Sequence, residues 1–435
     1  MSASARTIKK KGVFYGYYIV AAMWITYFMM SCPGAYGAGV VTSNVILDNG
    51  WNQGISGAVT SVFHLSLALT AIPISIVVKK LGVHMTGVLG AAVGVAAFTA
   101  LMFLGANPII YTVLFALVGL ASNMGGVILA PVTINSWFDR NRSLPMSIVM
   151  TSGSIGGFIL PLVIQRLIVI NVEYCWILFI TMCLIALAVD ALIVRNRPED
   201  KGEVKDGLEW NSLHPISDAD GEKTQIQYPS LKKCYHTRQF YVLAMQFFGN
   251  RTLTAAISSY VILYAVQRGI STADAAVFIT IYSIVGLAGR LFVGTLDKFH
   301  IRHKLANMAG LLSMVAGLLT LWIGGSYMIF MIGVALCGFG FGLSTVIFPI
   351  LVTDCFGAKN FGLMYGTYNT IASIGGFSAP MAVFAIAQAT GSYSYSYLVI
   401  GLLIGVCTLL SVSTPIGSIQ GNTDDDQGRQ RSAIL

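Results

Sequence analysis

Charge is scarce in this sequence: only 10% of its 435 residues are Asp, Glu, Lys or Arg, against about 25% in an ordinary soluble domain. Together with 55% hydrophobic residues and a mean hydropathy of +0.74, that scarcity excludes a soluble globular protein and points to an integral membrane protein. Catalytic signatures are missing as well. There is no phosphate-binding loop, no Gly-x-Ser-x-Gly turn and no His/Glu pair on one helix face, so an enzyme is not expected. The cysteines Cys32, Cys175, Cys183, Cys234, Cys337, Cys355 and Cys407 stand singly. Their spacing supports neither a disulfide framework nor a metal centre, and no cofactor is implied. Acidic residues are absent from the middle of every apolar stretch, Asp190 and Asp297 falling at stretch ends.

What is present is apolar sequence in lengths that cross a hydrocarbon core, about 20 residues each. Such stretches lie near 15–40, 56–78, 85–105, 109–135, 143–169 and 176–194, and again near 239–265, 274–296, 305–325, 328–352, 361–389 and 394–415. Twelve transmembrane helices in two six-helix halves are expected, an all-α membrane protein. The divisions are an N-terminal half over 1–194, a polar linker over 195–237, a C-terminal half over 238–415 and a tail over 416–435. Basic residues mark the cytoplasmic loops of membrane proteins. Here they gather in the even-numbered connections, as Lys79-Lys80, Arg140 and Arg142, the central linker, Lys298-Arg302-Lys304 and Lys359. Both termini are therefore expected in the cytoplasm of a multi-pass protein of the plasma (inner) membrane. This bias accounts for the net charge of +8 and makes a nucleic-acid partner unnecessary. The first stretch is too long for a signal peptide and reads as a permanent span.

The pentapeptide Ser-Ile-Gly-Gly-Phe occurs twice, at 154–158 and at 373–377. Each copy follows a proline, a short basic loop and the next span: Pro131 through Arg142 to Pro161 in the first half, Pro349 through Lys359 to Pro380 in the second. Two related halves of the same orientation explain the pairing. Glycine weakens a helix by about 0.8–1.0 kcal/mol relative to alanine, so Gly156, Gly157, Gly375 and Gly376 need a reason. Small residues let membrane helices approach closely, and a tight, rocking crossing is expected in each half.

The segments NSWFDRNRS…TSGSIGGF, FGAKNFGLMYGTYNTIASIGG and, at 286–298, GLAGRLFVGTLDK resemble the loop-plus-helix signatures of the major facilitator superfamily, specifically its monocarboxylate and oxalate/formate transporter branch. The resemblance spans both halves. It implies that fold and a transport function, with Asp297 in a gating loop. The chain departs from the family in carrying Lys79 where the first-half loop motif has an aspartate, and in a Gly294 to Asp297 spacing one residue short.

An ionisable group near the bilayer centre costs about 2.5–3.5 kcal/mol on insertion scales and is functional by default. Arg251 lies roughly 20 Å into helix 7 and Arg290 roughly 10 Å into helix 8, by the helical rise from Arg238 and Asp297. Neither has an acidic partner at its depth. An arginine keeps its proton, and its planar fork pairs with a carboxylate, so the missing counter-charge is expected to be a substrate anion. The resemblance implies the same, because the branch's helix 8 arginine binds the substrate carboxylate and Arg290 matches it. Pairing of either arginine with backbone carbonyls is the structural alternative. Tyr365, Tyr368 and Asn369 share one face of helix 11, a further wall of the site or else interhelix packing. Tyr282 stands two turns before Arg290, and Asn250, Thr254 and Ser258 group with Arg251. His64 could carry a proton or simply bond a neighbouring helix.

The expected function is secondary transport of a small organic anion, a mono- or dicarboxylate, by alternating access around a midplane site. Oxalate is not expected, because its exchangers in the resembled branch carry a lysine where this chain has Tyr368. Proton-coupled carriers of that branch carry an aspartate at the place of Gly286, so anion exchange is preferred. The alternatives are a proton-coupled, lactate- or pyruvate-like symporter using His64 and, from another class, a non-transporting membrane sensor of organic acids. The expected partners are the carboxylate, the lipid bilayer and, in the symport alternative, protons; the protein is expected to be a monomer.

Overall fold

The computed structural model describes residues 13–52, 54–139, 141–207, 230–296, 298–299 and 301–414. Twelve long helices account for most of them. In order they are α1 (Tyr15–Asn49), α2 (54–81), α3 (83–104), α4 (Pro108–Trp137), α5 (Ser143–Ile170), α6 (Glu173–Leu192), α7 (Arg238–Gln267), α8 (Thr272–Val293), α9 (His303–Ile323), α10 (Tyr327–Phe356), α11 (Phe361–Thr390) and α12 (Ser394–Ser413). A short 3-10 turn, Pro198–Lys201, and a one-turn helix, Leu231–Tyr235, occupy the described parts of the linker. The expected all-α architecture of two six-helix halves is the observed one.

Local chemistry sets the element ends. Only one residue, Gly82 (φ +82°, ψ 169°), separates α2 from α3. That conformation is open essentially to glycine alone, and an added Cβ would meet the Asn196 side chain, whose Oδ1 accepts from His84 N at 3.0 Å. Asn107, Thr237 and Ser271 cap α4, α7 and α8 by accepting backbone N–H bonds. Two helices widen into π-turns, α1 at Pro33–Gly37 and α4 at Asn123–Val127.

Among the described residues nine segments are long and apolar enough to cross a membrane; one of them is the joined α2–α3 pair, while α7 and α8 fall short. All twelve expected helices are present, and α7 is the most polar of the long ones. It carries Gln239, Gln246, Asn250, Arg251 and Thr254, and several of these face the molecule's centre rather than lipid.

Apolar packing forms three clusters. One lies within the first half and includes Val45, Phe98, Tyr111 and Phe179. A second lies within the second half, around Tyr264, Phe278, Leu318 and Tyr397. The third joins both halves, bringing Ile74, Trp137 and Met146 together with Val293, Val346 and Phe356. All of these last residues lie toward the end that carries the basic loops. The halves meet there along α5 with α8 and α2 with α11, where Ser147 Oγ donates to the Arg290 carbonyl and Thr370 Oγ1 donates to Ala68 O at 2.9 Å. The protein is thus sealed at its basic-loop end.

A polar latch reinforces the seal. Asp354, near the end of α10, accepts from Arg142 Nη2 at 2.8 Å and lies 2.8 Å from His303 Nδ1. Thr353 Oγ1 donates to Asn135 Oδ1 at 3.1 Å beside them. Asp190 lies near the end of α6, as its place at a stretch end implies, but not in a polar setting. It is fully buried, accepts from Thr26 Oγ1 at 2.9 Å and packs over Gly87, because α1 and α3 close over the end of α6.

The Arg142–Asp354 pair retains 16% and 24% side-chain exposure, so it contributes about 1 kcal/mol rather than the larger value of a buried pair. The seven cysteines are buried, which leaves introduced surface cysteines free for spin labels. With labels at Asp48→Cys and Val266→Cys, at the ends of α1 and α7 remote from the latch, Arg142→Ala should lower the ratio of the long-distance to the short-distance form about fivefold. An unchanged distance distribution would remove the pair from the latch.

Candidate functional site

A cavity of about 310 Å³ lies between the halves, near the lower end of ligand pockets, which run roughly 300–1,000 Å³. Its rim includes Thr60, Ser258 and Ser259, which are exposed, and its floor includes Phe247, Phe348 and Arg290, which are buried. Thr60 lies near the start of α2 and Ser258 toward the end of α7. The cavity therefore opens away from the basic-loop end. Phe247 and Phe348 stack at 4.6 Å between ring centroids and form the seal beneath it.

Arg251 and Arg290 line this one cavity together. Arg290 is 3% exposed; its Nη1 donates to Met150 O at 2.9 Å and to Ser154 Oγ, both on α5, while its Nε has no partner. Its guanidinium carbon lies 5.5 Å from the Phe341 ring centroid, a cation–π distance. Phe341 in turn stacks on Tyr282, whose hydroxyl lies 3.2 Å from Thr254 Oγ1. Met150 O, Ser154 Oγ and the Phe341 face therefore account for part of Arg290 and leave its Nε unpaired. Arg251 is half-buried and makes no hydrogen bond or ion pair among the described residues.

Tyr282, Tyr365, Asn369 and His64 also line the cavity, together with Asn250, Thr254 and Ser258. Asn369 Nδ2 is occupied by Tyr365 O at 2.9 Å, and His64 Nδ1 sits 2.9 Å from Thr60 O. Tyr368 does not line it. Its ring is fully buried in a stack with Phe247 at 4.9 Å and Phe240 at 5.3 Å, and its hydroxyl donates to Phe240 O at 3.4 Å. Asp297 lies outside the described residues.

The repeated glycines have a geometric role. A Cβ at Gly157 would meet the Tyr36 ring at 3.2 Å, and a Cβ at Gly376 would meet Arg251 Cγ at 2.9 Å and His64 Cδ2 at 3.2 Å. Their neighbours Gly156 and Gly375 sit as closely on Cys32 of α1 and on the Phe248 carbonyl of α7. In each half the pentapeptide thus presses the fifth helix onto the first, and its second glycine makes room for one cavity side chain. Tyr36 and Tyr27, both on α1, are cavity residues that sequence reasoning missed. The available signal for Tyr36 was its position in the helix-disturbing Pro-Gly-Ala-Tyr-Gly run, now the π-turn, a feature common at functional sites. Ser154 lay in the pentapeptide itself.

A family model for the Major Facilitator Superfamily matches residues 19–380. The chain belongs to that superfamily. Among its relatives, the MFS transporter asaE of Aspergillus flavus is 25% identical over 281 residues, covering 62% of this chain and 57% of that protein. The uncharacterized MFS-type transporter YhjX of Escherichia coli is 27% identical over 260 residues, covering 57% of this chain and 59% of its own length. The chain thus matches less than two thirds of the length of either relative. Among solved superfamily structures, the proton:xylose symporter XylE superimposes with a TM-score of 0.73 at 14% identity, covering 92% and 95% of the two chains. The human organic anion transporter MFSD10 gives 0.70 at 12%, covering 93% and 100%. At these identities the likeness shows the superfamily fold.

The close fit at Gly376 yields a test with an internal control. Gly376→Val should displace the Arg251 stem and weaken binding of the expected carboxylate about tenfold, the effect of roughly 1.4 kcal/mol of misplacement. Gly362→Ala, where the nearest atom to an added Cβ is Val132 Cγ2 at 3.9 Å, should bind normally. Titration of both purified variants checks this, and equal binding would remove the glycine from site geometry.

Proposed function

We propose that the protein is a secondary transporter that moves a small organic anion, a mono- or dicarboxylate other than oxalate, by alternating access and in exchange for another anion. The observation that carries this reading is the pair Arg251 and Arg290 in a single cavity whose lining, among the described residues, contains no Asp or Glu. A guanidinium cannot shed its proton, and leaving it desolvated and unpaired costs several kcal/mol. A bound carboxylate removes that cost by accepting the free N–H bonds of Arg251 and those Arg290 has left. Tyr282, Tyr365 and Asn369 would orient it, and the Phe247–Phe348 stack would separate it from the far side.

Exchange follows from the same charge. Opening the basic-loop end must part α8 from α5, and with them Arg290 from Met150 and Ser154. An empty cavity then carries two uncompensated cations through the change, whereas a loaded one does not. With the basic loops in the cytoplasm of a plasma or bacterial inner membrane, the observed form is the outward-open one, and its counterpart opens inward. His64, packed with Arg251 against Gly376, supports the second reading, proton-coupled symport of a monocarboxylate. A sensor would bind the same anion without moving it.

Uptake of labelled carboxylates into proteoliposomes tests the site. Arg290→Gln and Arg290→Lys should both abolish uptake in folded protein, since lysine supplies charge without the planar fork. Arg251→Ala should weaken a dicarboxylate roughly tenfold to a hundredfold more than a matched monocarboxylate, as expected for one lost charge-assisted contact of about 1.5–3 kcal/mol. Near-normal uptake by both Arg290 variants would contradict the proposal, and equal loss for both acids would make Arg251 a general electrostatic group.

A further inference from the structure

A second and larger cavity, about 1060 Å³, lies at the basic-loop end. It shares no lining residue with the central cavity. It is built chiefly by the α2–α3 turn of the first half, the linker from Asn196 to Lys205 and the α10–α11 connection of the second half, with Val132 and Ser136 of α4 and Leu231 completing the wall. Its wall carries five cations, Lys79, Lys80, Arg197, Lys205 and Lys359, against two acids, Glu199 and Asp200. Asp200 is held within that wall, its Oδ2 accepting from Arg197 N at 3.0 Å. Among the described residues Lys79, Lys80 and Lys359 make no hydrogen bond or ion pair.

Lys79 and Lys80 line it from the first half and Lys359 from the second, so the cavity gathers cations of both halves at one seam. Like charges there oppose the closure that the Arg142–Asp354 latch and the shared apolar core maintain. A multivalent anion would reverse the sign of that interaction, because each half would be drawn to the same ligand. We propose that this cavity is a regulatory site for a compact polyanion bearing at least two phosphates, and that its occupation holds the basic-loop end closed. The chemistry is shared by an anionic lipid headgroup and a free polyphosphate. Basic pockets at this level of a membrane protein collect phosphorylated headgroups, and the roughly threefold larger volume accommodates more than a simple carboxylate.

The test needs no transport substrate, so its outcome is independent of the anion carried in the central cavity. In one arm, sodium pyrophosphate is added to purified full-length protein, with sodium sulfate at matched ionic strength as control. In the other, the protein is placed in nanodiscs of phosphatidylcholine with or without cardiolipin. The expected result is a higher thermal midpoint and a larger long-distance population of the Asp48→Cys/Val266→Cys spin pair. Both effects should be lost in Lys79→Gln/Lys80→Gln and in Lys359→Gln, and kept in Lys232→Gln, which lies outside the cavity wall. Response to pyrophosphate assigns a soluble polyphosphate, and response to cardiolipin alone assigns a lipid headgroup. No response to either, a response equal to that of sulfate, or one unchanged in the lysine variants would overturn the proposal and leave the lysines as topology signals only.

Discussion

The unbalanced positive charge of the central cavity is the constraint on which the account depends. Burying one guanidinium inside a membrane protein demands compensation, and Arg290 obtains part of it from the Met150 carbonyl, Ser154 and the face of Phe341. Arg251, in the same cavity, obtains none from hydrogen bonds or ion pairs among the described residues. Folding tolerates this because the cavity is open to solvent at one end, where water screens the charge. That tolerance ends when the cavity closes. The demand for an anion is therefore tied to the conformational change itself, and this is how a binding site becomes a coupling device.

The rest of the fold holds those two cations in place while letting the halves move. The second glycine of each pentapeptide lets α5 and α11 lie against Tyr36 and Arg251, so the side chains are positioned by backbone contact instead of by flexible neighbours. The shared apolar core and the Asp354 latch close one end, and the two separate cores let the other end part. Arg290 spans both roles, since its contacts on α5 cross the seam between halves.

Much of this was legible in the sequence. Hydropathy gave the twelve helices, the duplicated pentapeptide gave the two halves, and counting the helical rise from the loops put Arg251 and Arg290 at depth. What was not legible required tertiary neighbours. Tyr368 follows Tyr365 by three residues and shares its helical face, yet Phe240 and Phe247 cover one ring while the other meets the cavity. The stretch-end position of Asp190 does not reveal that Thr26 and Gly87 close over it. Tyr36 was hidden because a π-turn shifts the phase of α1 in a way that a regular helical period does not foresee. The α5 partners of Arg290 lie 136 and 140 residues away in the chain, beyond any local pattern.

The most direct test of the central claim is efflux of a preloaded, labelled carboxylate from proteoliposomes, with and without unlabelled carboxylate outside. If the empty, doubly cationic cavity resists reorientation, efflux into anion-free buffer is slow and accelerates many-fold when external carboxylate is added. Rapid efflux without external anion, responsive to an imposed pH gradient and lost in His64→Ala, would contradict exchange and establish proton symport through His64 instead.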